Sequence, residues 1–162
     1  MGAMNSASIA CAASVVQRAL ILEQLDRRDL ITVTGPNGLG AMISLCQAGF
    51  EHVECTRQSI CECADGASDA LMLIGPMTED VLLDVLRHTI RLLRDGGRLI
   101  IQLSATSHLQ AAIATLAGLG FHAAFAVVDH SVGAVGYLTV SHKAPAVGRW
   151  RPHHTGDLVG HL

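Results

Sequence analysis

With 162 residues, of which 50% are hydrophobic and only 15% are charged, the chain has the composition of one globular domain and not of a disordered segment. Its net charge of −3 supplies no global basic field, so neither nucleic acid nor a membrane surface is expected as a partner. No apolar run reaches the ~18 residues of a membrane span. The five cysteines are odd in number and irregularly spaced, which is typical of free thiols in a reducing cytoplasm, the compartment that we expect.

The N-terminal segment predicts a helix from Ala7 to about Arg28, because its apolar residues recur at helical spacing. Two adjoining stripes form its apolar surface: Ile9, Ala13, Val16 and Leu20 in the first, and Ala12, Val15, Ala19 and Leu22 in the second. Together they cover a wider arc than the ~100° that a surface helix buries. We therefore expect a homodimer, or another protein partner, to pack on this helix and the edge of the sheet.

A strand, a glycine-rich turn and a helix follow in direct succession. The strand covers Leu30 to Thr34, and the helix after the turn continues to about Gln47. Such a unit lets the backbone approach a nucleotide closely and directs the first helical amides toward it. A tight turn alone would need the same glycines, and the position after the first strand leaves a ligand contact and a purely structural turn as two open interpretations. The candidate cofactor contacts in the turn are Gly35, Asn37, Gly38 and Gly40.

The rest of the chain alternates strands with helices. The predicted elements begin with a strand over Glu51 to Arg57, a buried strand over Asp69 to Ile74 and a helix over Thr78 to Leu93. After the turn Asp95-Gly96-Gly97, the sequence predicts a strand over Arg98 to Leu103 and a helix over Ser107 to Leu119. The last two elements are an antiparallel pair of strands, Phe121 to Val128 and Val135 to Ser141. This alternation implies a three-layer α/β domain with a mostly parallel sheet. Residues 1–28 are expected to belong to this domain, residues 29–143 to form its core and residues 144–162 to be a tail.

Two long segments carry a family resemblance. The segment SDALMLIGPMTEDVLLDVLRHTIRLLRDGGRLIIQL, residues 68–103, resembles the fourth strand, the next helix and the turn into the fifth strand of class I S-adenosylmethionine-dependent methyltransferases. The segment LAGLGFHAAFAVVDHSVGAVGYLTVSHK, residues 116–143, is similar to the last helix and terminal hairpin of that family. The resemblance implies a Rossmann-like methyltransferase fold, abbreviated between its second and fourth strands, and adds Gly75 to the expected cofactor contacts.

The chain departs from this family where the family carries two acids. One acid normally stands near the end of strand one, where this chain has Thr32-Val33-Thr34, and another binds the ribose hydroxyls at the end of strand two, where this chain has Cys55-Thr56-Arg57. Glu54 comes too early, and strand alternation turns it to the face opposite Cys55. We therefore expect S-adenosylmethionine to bind weakly or not at all. The predicted function is a catalytically degenerate methyltransferase-like protein that binds a ligand or partner; the alternative is an active small-molecule O- or C-methyltransferase.

The glycine loop also supports a second interpretation. The run VTGPNGLGA resembles the TGxxGxxG turn of short-chain dehydrogenases, with Ala41 in place of the last glycine, and Arg57 would then meet a 2′-phosphate of NADP. The Tyr-x-x-x-Lys pair of that family has no counterpart, because Tyr137 and Lys143 are the only residues of their types. NADP binding is therefore the lesser alternative.

The remaining reactive residues predict no further chemistry. Cys55, Cys61 and Cys63, with His52, lack paired Cys-x-x-Cys spacing, so surface thiols are expected and no metal site. Asp129-His130 is expected to be a solvated turn and not a general base, which leaves the catalytic residues unassigned. The helix over Thr78 to Leu93 is expected to carry a solvated, ion-paired face of Arg87, Arg91 and Arg94, with Asp80 and Asp84 one turn back. No role is expected for the tail histidines, His153, His154 and His161.

Overall fold

The computed structural model of the chain describes residues 13–18, 25–56, 64–105, 107–129 and 135–142. Residues 13–18 are helical and are named α1. The other elements are, in chain order, β1 (Leu30–Thr34), α2 (Gly38–Gln47), β2 (His52–Cys55), β3 (Ser68–Leu73), α3 (Glu79–Thr89), a 3₁₀ turn (Ile90–Leu92), β4 (Leu93–Gln102), α4 (Ser107–Gly118), β5 (Phe121–Asp129) and β6 (Val135–His142). The alternation of strands and helices expected from the sequence is therefore confirmed.

The six strands form one sheet in the order β2-β1-β3-β4-β6-β5. Strands β2, β1, β3 and β4 pair in parallel, whereas β6 pairs antiparallel with both β4 and β5. The sheet is thus mostly parallel and ends in the predicted antiparallel hairpin. Only residues 56–67 separate β2 from β3, which confirms the predicted abbreviation in this part of the chain.

Helices cover both faces of the sheet, because successive residues of a strand point to opposite sides. In β3, Leu71 and Leu73 pack with α3 and α4, whereas Ala70 and Met72 pack with α1 and α2. All four side chains are fully buried, as expected for a continuous apolar run in a central parallel strand. The result is the predicted three-layer α/β domain. None of the helices in the described ranges has the length and apolar character that crossing a membrane requires.

The predicted N-terminal helix is wrong at its C-terminal end. Residues 25–28 are not helical, and they form a turn closed by Asp26 and Asp29. The Asp26 amide donates to Oδ2 of Asp29 at 2.9 Å, and the Arg28 amide donates to Oδ1 of Asp26 at 3.0 Å. Short acidic side chains that bond nearby amides offer the backbone an alternative to the helix, which explains the error. The predicted start of this helix, at Ala7, lies outside the described residues.

Both predicted stripes of the N-terminal helix contribute to the core of the chain itself. Val15 from one stripe and Val16 from the other are buried, with 0% and 2% of their surface exposed. They pack with Ala41 and Leu45 of α2 and with the sheet. At these two positions the chain buries its own apolar surface, so neither Val15 nor Val16 needs a partner protein to cover it. The homodimer or partner expected on this helix stays a prediction.

The turn Asp95-Gly96-Gly97, which the sequence places before the strand over Arg98 to Leu103, lies inside β4. Ser68 pairs with Leu93, and Ala70 pairs with Arg98, so two steps along β3 oppose five along β4. Gly96, with a φ of +72°, allows the extra residues to bulge out of the ladder. The predicted turn therefore exists as a bulge within β4, which begins five residues earlier than the sequence indicated.

Candidate functional site

The order in which strands are added to the sheet reverses between β1 and β3. From β1 the chain continues outward to β2, and it then returns to the other side of β1 as β3. Ligands of open α/β sheets bind outside the carboxyl ends of the strands at such a reversal, between the two loops that leave it. Here those loops contain Gly35 to Asn37 after β1 and Ile74 to Thr78 after β3. Gly35 and Gly75, both predicted cofactor contacts, lie in these two loops.

The two loops lie against each other at this position. Gly35 has a φ of +100°, and a Cβ added to it would stand 2.6 Å from the Ile74 carbonyl oxygen. Gly75 has a φ of +120°, and a Cβ there would stand 2.9 Å from the Asn37 nitrogen and 3.1 Å from Pro36. Neither space admits a side chain. Each glycine thus makes room for the backbone of the opposite loop.

Several amides of these loops already have partners within the chain. The Asn37 amide donates to the Ile74 carbonyl at 3.0 Å, and the Gly38 amide donates to the Gly35 carbonyl at 3.0 Å. The Gly75 amide donates to Oε1 of Gln102 at 2.9 Å. Of these three hydrogen bonds, the one from Asn37 joins the loops after β1 and β3, the one from Gly38 lies within the first loop, and the one from Gly75 ties the second loop to the end of β4.

The other predicted contacts are placed as follows. Gly40 is buried in the first turn of α2, and Gly38 is buried against β1 and β2. A Cβ at Gly38 would lie 3.5 Å from the Cys55 sulfur, so Cys55, at the end of β2, borders the glycine loop. Arg57 lies outside the described residues. The structure therefore places Gly35 and Gly75 in the two contacting loops and Gly38 at the start of α2, with Cys55 beside Gly38.

The ends of β1 and β2 carry hydroxyl and thiol groups. Thr32 and Thr34 are buried, and the Thr32 hydroxyl lies 2.6 Å from the Ser68 hydroxyl, where either can donate. Glu54 and Cys55 are adjacent residues of β2 and so point to opposite faces of the sheet. Since Cys55 faces the glycine loop, Glu54 faces away from it. The described ends of both strands thus present no carboxylate to this loop.

An open cleft lies one strand further along the same edge of the sheet. It has a volume of about 370 Å³ and lies between the loop after β3 and the loop after β4. The Ser104 hydroxyl donates to the Met77 carbonyl at 2.8 Å and accepts from the Met77 amide at 3.2 Å, which fixes the two loops to each other. The lining residues are Pro76, Met77, Thr78, Glu79, Ser104 and His108.

Polar side chains in this cleft are only partly satisfied. Nδ1 of His108 is buried and has no hydrogen-bond partner within the described part of the chain. Thr78 precedes α3 in an extended conformation, but its side chain makes no capping hydrogen bond. Sequence reasoning missed this cleft, although Ser104 follows a buried strand and His108 lies in the first turn of the next helix, at the carboxyl end where α/β sheets bind ligands.

The arginines on the predicted charged face have different partners from those expected. Arg91, in the 3₁₀ turn after α3, pairs with Asp65, and Arg94, in β4, pairs with Asp69, both at 2.5 Å, so the acids that they reach lie before and within β3 and not on α3. Asp69 also accepts the Leu30 amide at 2.8 Å, which joins the starts of β1 and β3. These ion pairs secure the amino-terminal edge of the sheet, away from the cleft.

No described group of three or more His, Cys, Asp or Glu residues could hold a metal ion. Cys46 and Cys55 are exposed thiols. Cys61, Cys63 and the tail histidines lie outside the described residues, as does His130.

No protein-family model matches the chain, and no curated protein matches its sequence significantly. Solved structures do match its fold. A candidate S-adenosyl-L-methionine-dependent methyltransferase from Methanococcus maripaludis aligns with a TM-score of 0.58 at 10% identity, over 88% of this chain and 90% of that one. The tRNA methyltransferase TrmI from Aquifex aeolicus gives 0.56 at 11% identity, over 86% and 73%. An amino pentose methyltransferase from Micromonospora echinaspora gives 0.51 at 10% identity, over 79% and 89%. The chain therefore has the Rossmann-like fold of class I S-adenosylmethionine-dependent methyltransferases.

Proposed function

We propose that this chain is a ligand- or partner-binding protein on a methyltransferase scaffold, with a degenerate cofactor site. The observation that carries the proposal is the 3.0 Å hydrogen bond from the Asn37 amide to the Ile74 carbonyl. It joins the loops after β1 and β3, where an α/β sheet normally leaves a crevice for its ligand. A nucleotide would have to separate two loops that already satisfy each other.

The packing at Gly35 and Gly75 supports the same conclusion. Glycines in a cofactor loop give space to the ligand, but here the missing side chains give space to Ile74 and to Pro36 and Asn37. Opening the crevice would leave the Ile74 carbonyl and the Asn37 amide without partners. An unpaired buried polar group costs about 1–3 kcal/mol, which would subtract from the affinity for any cofactor.

The end of β2 lacks a carboxylate beside the glycine loop, so a second source of affinity for the cofactor is missing. A carboxylate on the ribose hydroxyls would contribute two charge-assisted hydrogen bonds, about 2–4 kcal/mol together. At the end of β2 the residue beside the glycine loop is Cys55, and Glu54 faces the other side. A loss of this size weakens binding about 30- to 1000-fold.

Calorimetric titration with S-adenosylmethionine tests the proposal. We expect a Kd weaker than about 100 μM, or no heat of binding. A separate titration with NADPH tests the dehydrogenase alternative, and no binding is expected because the same crevice would have to open. A Kd for S-adenosylmethionine in the low micromolar range would contradict the degenerate site.

The alternative is an active methyltransferase that acts on a small molecule. The open cleft between the loops after β3 and β4 favours it, because a methyl acceptor could lie there beside the crevice. The Micromonospora echinaspora enzyme with this fold was solved with S-adenosylmethionine bound. This alternative requires the Gly35 and Gly75 loops to separate, so tight cofactor binding in the calorimeter would decide for it.

A further inference from the structure

We propose that the cleft between the loops after β3 and β4 binds the segment Arg149-Trp150-Arg151 of a second copy of this chain. The assignment rests on the proposed partner-binding function and names its partner. The cleft has a volume of about 370 Å³, and its surface is mostly apolar and open to solvent. Small-molecule sites bury most of the ligand surface, which an open cleft does not do, whereas an anchoring side chain is covered by the protein that carries it.

Apolar surface continues beyond the lining residues of the cleft. Val81, in the first turn of α3, has 45% of its surface exposed. A helical side chain covers the turn before its own Cα, so Val81 extends the apolar surface toward Met77 and Thr78 at the cleft. Pro76, which lines the cleft, is exposed as well. This surface suits a large apolar anchor residue of a protein partner.

The charged residues at this edge of the sheet are acidic. Glu79 lines the cleft and Asp80 follows it, and both are exposed. In the described part of the chain, the loops after β1, β3 and β4 and the first turns of the helices that follow them contain no arginine or lysine. The N-terminus of α3 offsets only about half a charge. A basic partner segment is therefore attracted to the rim of the cleft.

The sequence after β6 supplies a basic segment with such an anchor. Trp150 is the only tryptophan of the chain, and it stands between Arg149 and Arg151. Residues 1–143 contain thirteen acidic and nine basic residues, whereas residues 144–152, outside the described part of the chain, contain two arginines and no acid. Trp and Arg are the residue types most enriched among the energetic centres of protein interfaces.

The length of the intervening chain selects a second copy. β6 ends at His142, at the amino-terminal edge of the parallel strands, and its other end, Val135, pairs with Gln102. The cleft begins at Ser104, two residues beyond Gln102, so it lies about 30 Å from His142 along the sheet. Trp150 is eight residues beyond His142, and eight extended residues span at most about 29 Å. Because the path around the helices is longer still, Trp150 of the same copy does not reach the cleft.

Tryptophan fluorescence of two mixed variants tests the docking, because Trp150 gives the only tryptophan emission of the chain. The donor is Glu79→Lys, which keeps Trp150 but repels the arginines from its own cleft. The acceptor is Trp150→Ala, which keeps the cleft and has no tryptophan. Adding the acceptor should shift the donor emission to shorter wavelength, with a Kd on the order of 10–100 μM. An acceptor that carries Glu79→Lys as well should bind about 10-fold more weakly or not at all.

Two matched controls separate the cleft from the rest of the surface. Asp84 is an exposed acid of the same helix that does not line the cleft, so Asp84→Lys in the acceptor should change the Kd less than about threefold. Val81→Lys in the acceptor should weaken the donor about 10-fold, whereas Leu119→Lys, at a residue that is 43% exposed beyond the far end of α4, should not. Circular dichroism of each variant measures its folding.

No shift on mixing, or equal losses in the Glu79→Lys and Asp84→Lys acceptors, would overturn the assignment. Short-wavelength emission of the donor alone, unchanged on mixing, would place Trp150 against its own chain and would also overturn it. Calorimetry with S-adenosylmethionine is independent of this measurement. Failure of the tail docking would leave the closed crevice standing, and tight cofactor binding would overturn the closed crevice without changing the fluorescence.

Discussion

The carbonyl oxygen of Ile74 lies 2.6 Å from the position that a Cβ of Gly35 would take. The two residues belong to different loops, one after β1 and one after β3. The missing side chain of Gly35 gives the two loops the space for this contact and for the Asn37–Ile74 hydrogen bond, and both interactions form within the chain itself. Gly35 is therefore required by the fold itself, whether or not a cofactor binds.

Gly35→Ala is expected to destabilise the protein by about 2–4 kcal/mol. The φ of +100° disfavours any L side chain, and the new methyl group would meet backbone that cannot rotate away. Gly118→Ala, at the end of α4 with open space around it, is the control and should cost nothing or stabilise by up to about 1 kcal/mol. Urea unfolding measures both. Equal midpoints for the two variants would show that the loops are not packed as described.

Cys55→Asp tests whether the missing ribose acid alone explains weak cofactor binding. Cys55 borders Gly38, so a carboxylate there would stand beside the glycine loop. If the crevice were open, the new hydrogen bonds would strengthen S-adenosylmethionine binding about 30- to 1000-fold. Because the loops are joined, we expect less than about a threefold change. The exposed Cys46 of α2 gives the matched control, Cys46→Asp, and a large gain in Cys55→Asp alone would mean that the crevice is open.

Much of the fold could be predicted from local pattern. The first strand was predicted at its observed bounds, and the run around Leu71 and Met72 has the continuous apolar character of a central parallel strand. The alternation of strands with amphipathic helices then implies the three layers. Errors occurred where side chains bond locally to the backbone, as at Asp26 and Asp29, since such bonds leave no periodic signal.

The candidate site was less predictable, because it depends on contacts between distant loops. Glycines indicate close approach of the backbone, but the sequence does not show what approaches: at Gly35 it is the backbone of Ile74. Ser104 and Met77 are 27 residues apart, and no spacing rule connects them. The orphaned Nδ1 of His108 is likewise a product of three-dimensional packing.

Asp69→Ala is expected to destabilise the protein by about 1–3 kcal/mol. The Asp69 carboxylate accepts a hydrogen bond from the Leu30 amide at 2.8 Å and pairs with Arg94, and only 26% of its side chain is exposed. Removing it leaves a partly buried amide without its acceptor. Asp65→Ala breaks the comparable pair with Arg91, but that aspartate is 67% exposed, and a loss below about 1 kcal/mol is expected. Urea unfolding at low and high salt measures both. Equal costs would mean that the Leu30 hydrogen bond contributes nothing.

The N-terminal helix is the predicted site of assembly. A homodimer would give about 34 kDa by light scattering, twice the 17.0 kDa chain. Val16 is 2% exposed within the chain's own core, so Val16→Glu buries an unpaired charge and should unfold the protein instead of releasing folded monomers. Gln17, the next residue on α1, is exposed, and Gln17→Glu is the matched control that should keep the fold. Circular dichroism measures folding beside the scattering. A dimer that Val16→Glu converts into stable, folded monomers would place Val16 in the interface and contradict its packing inside the chain.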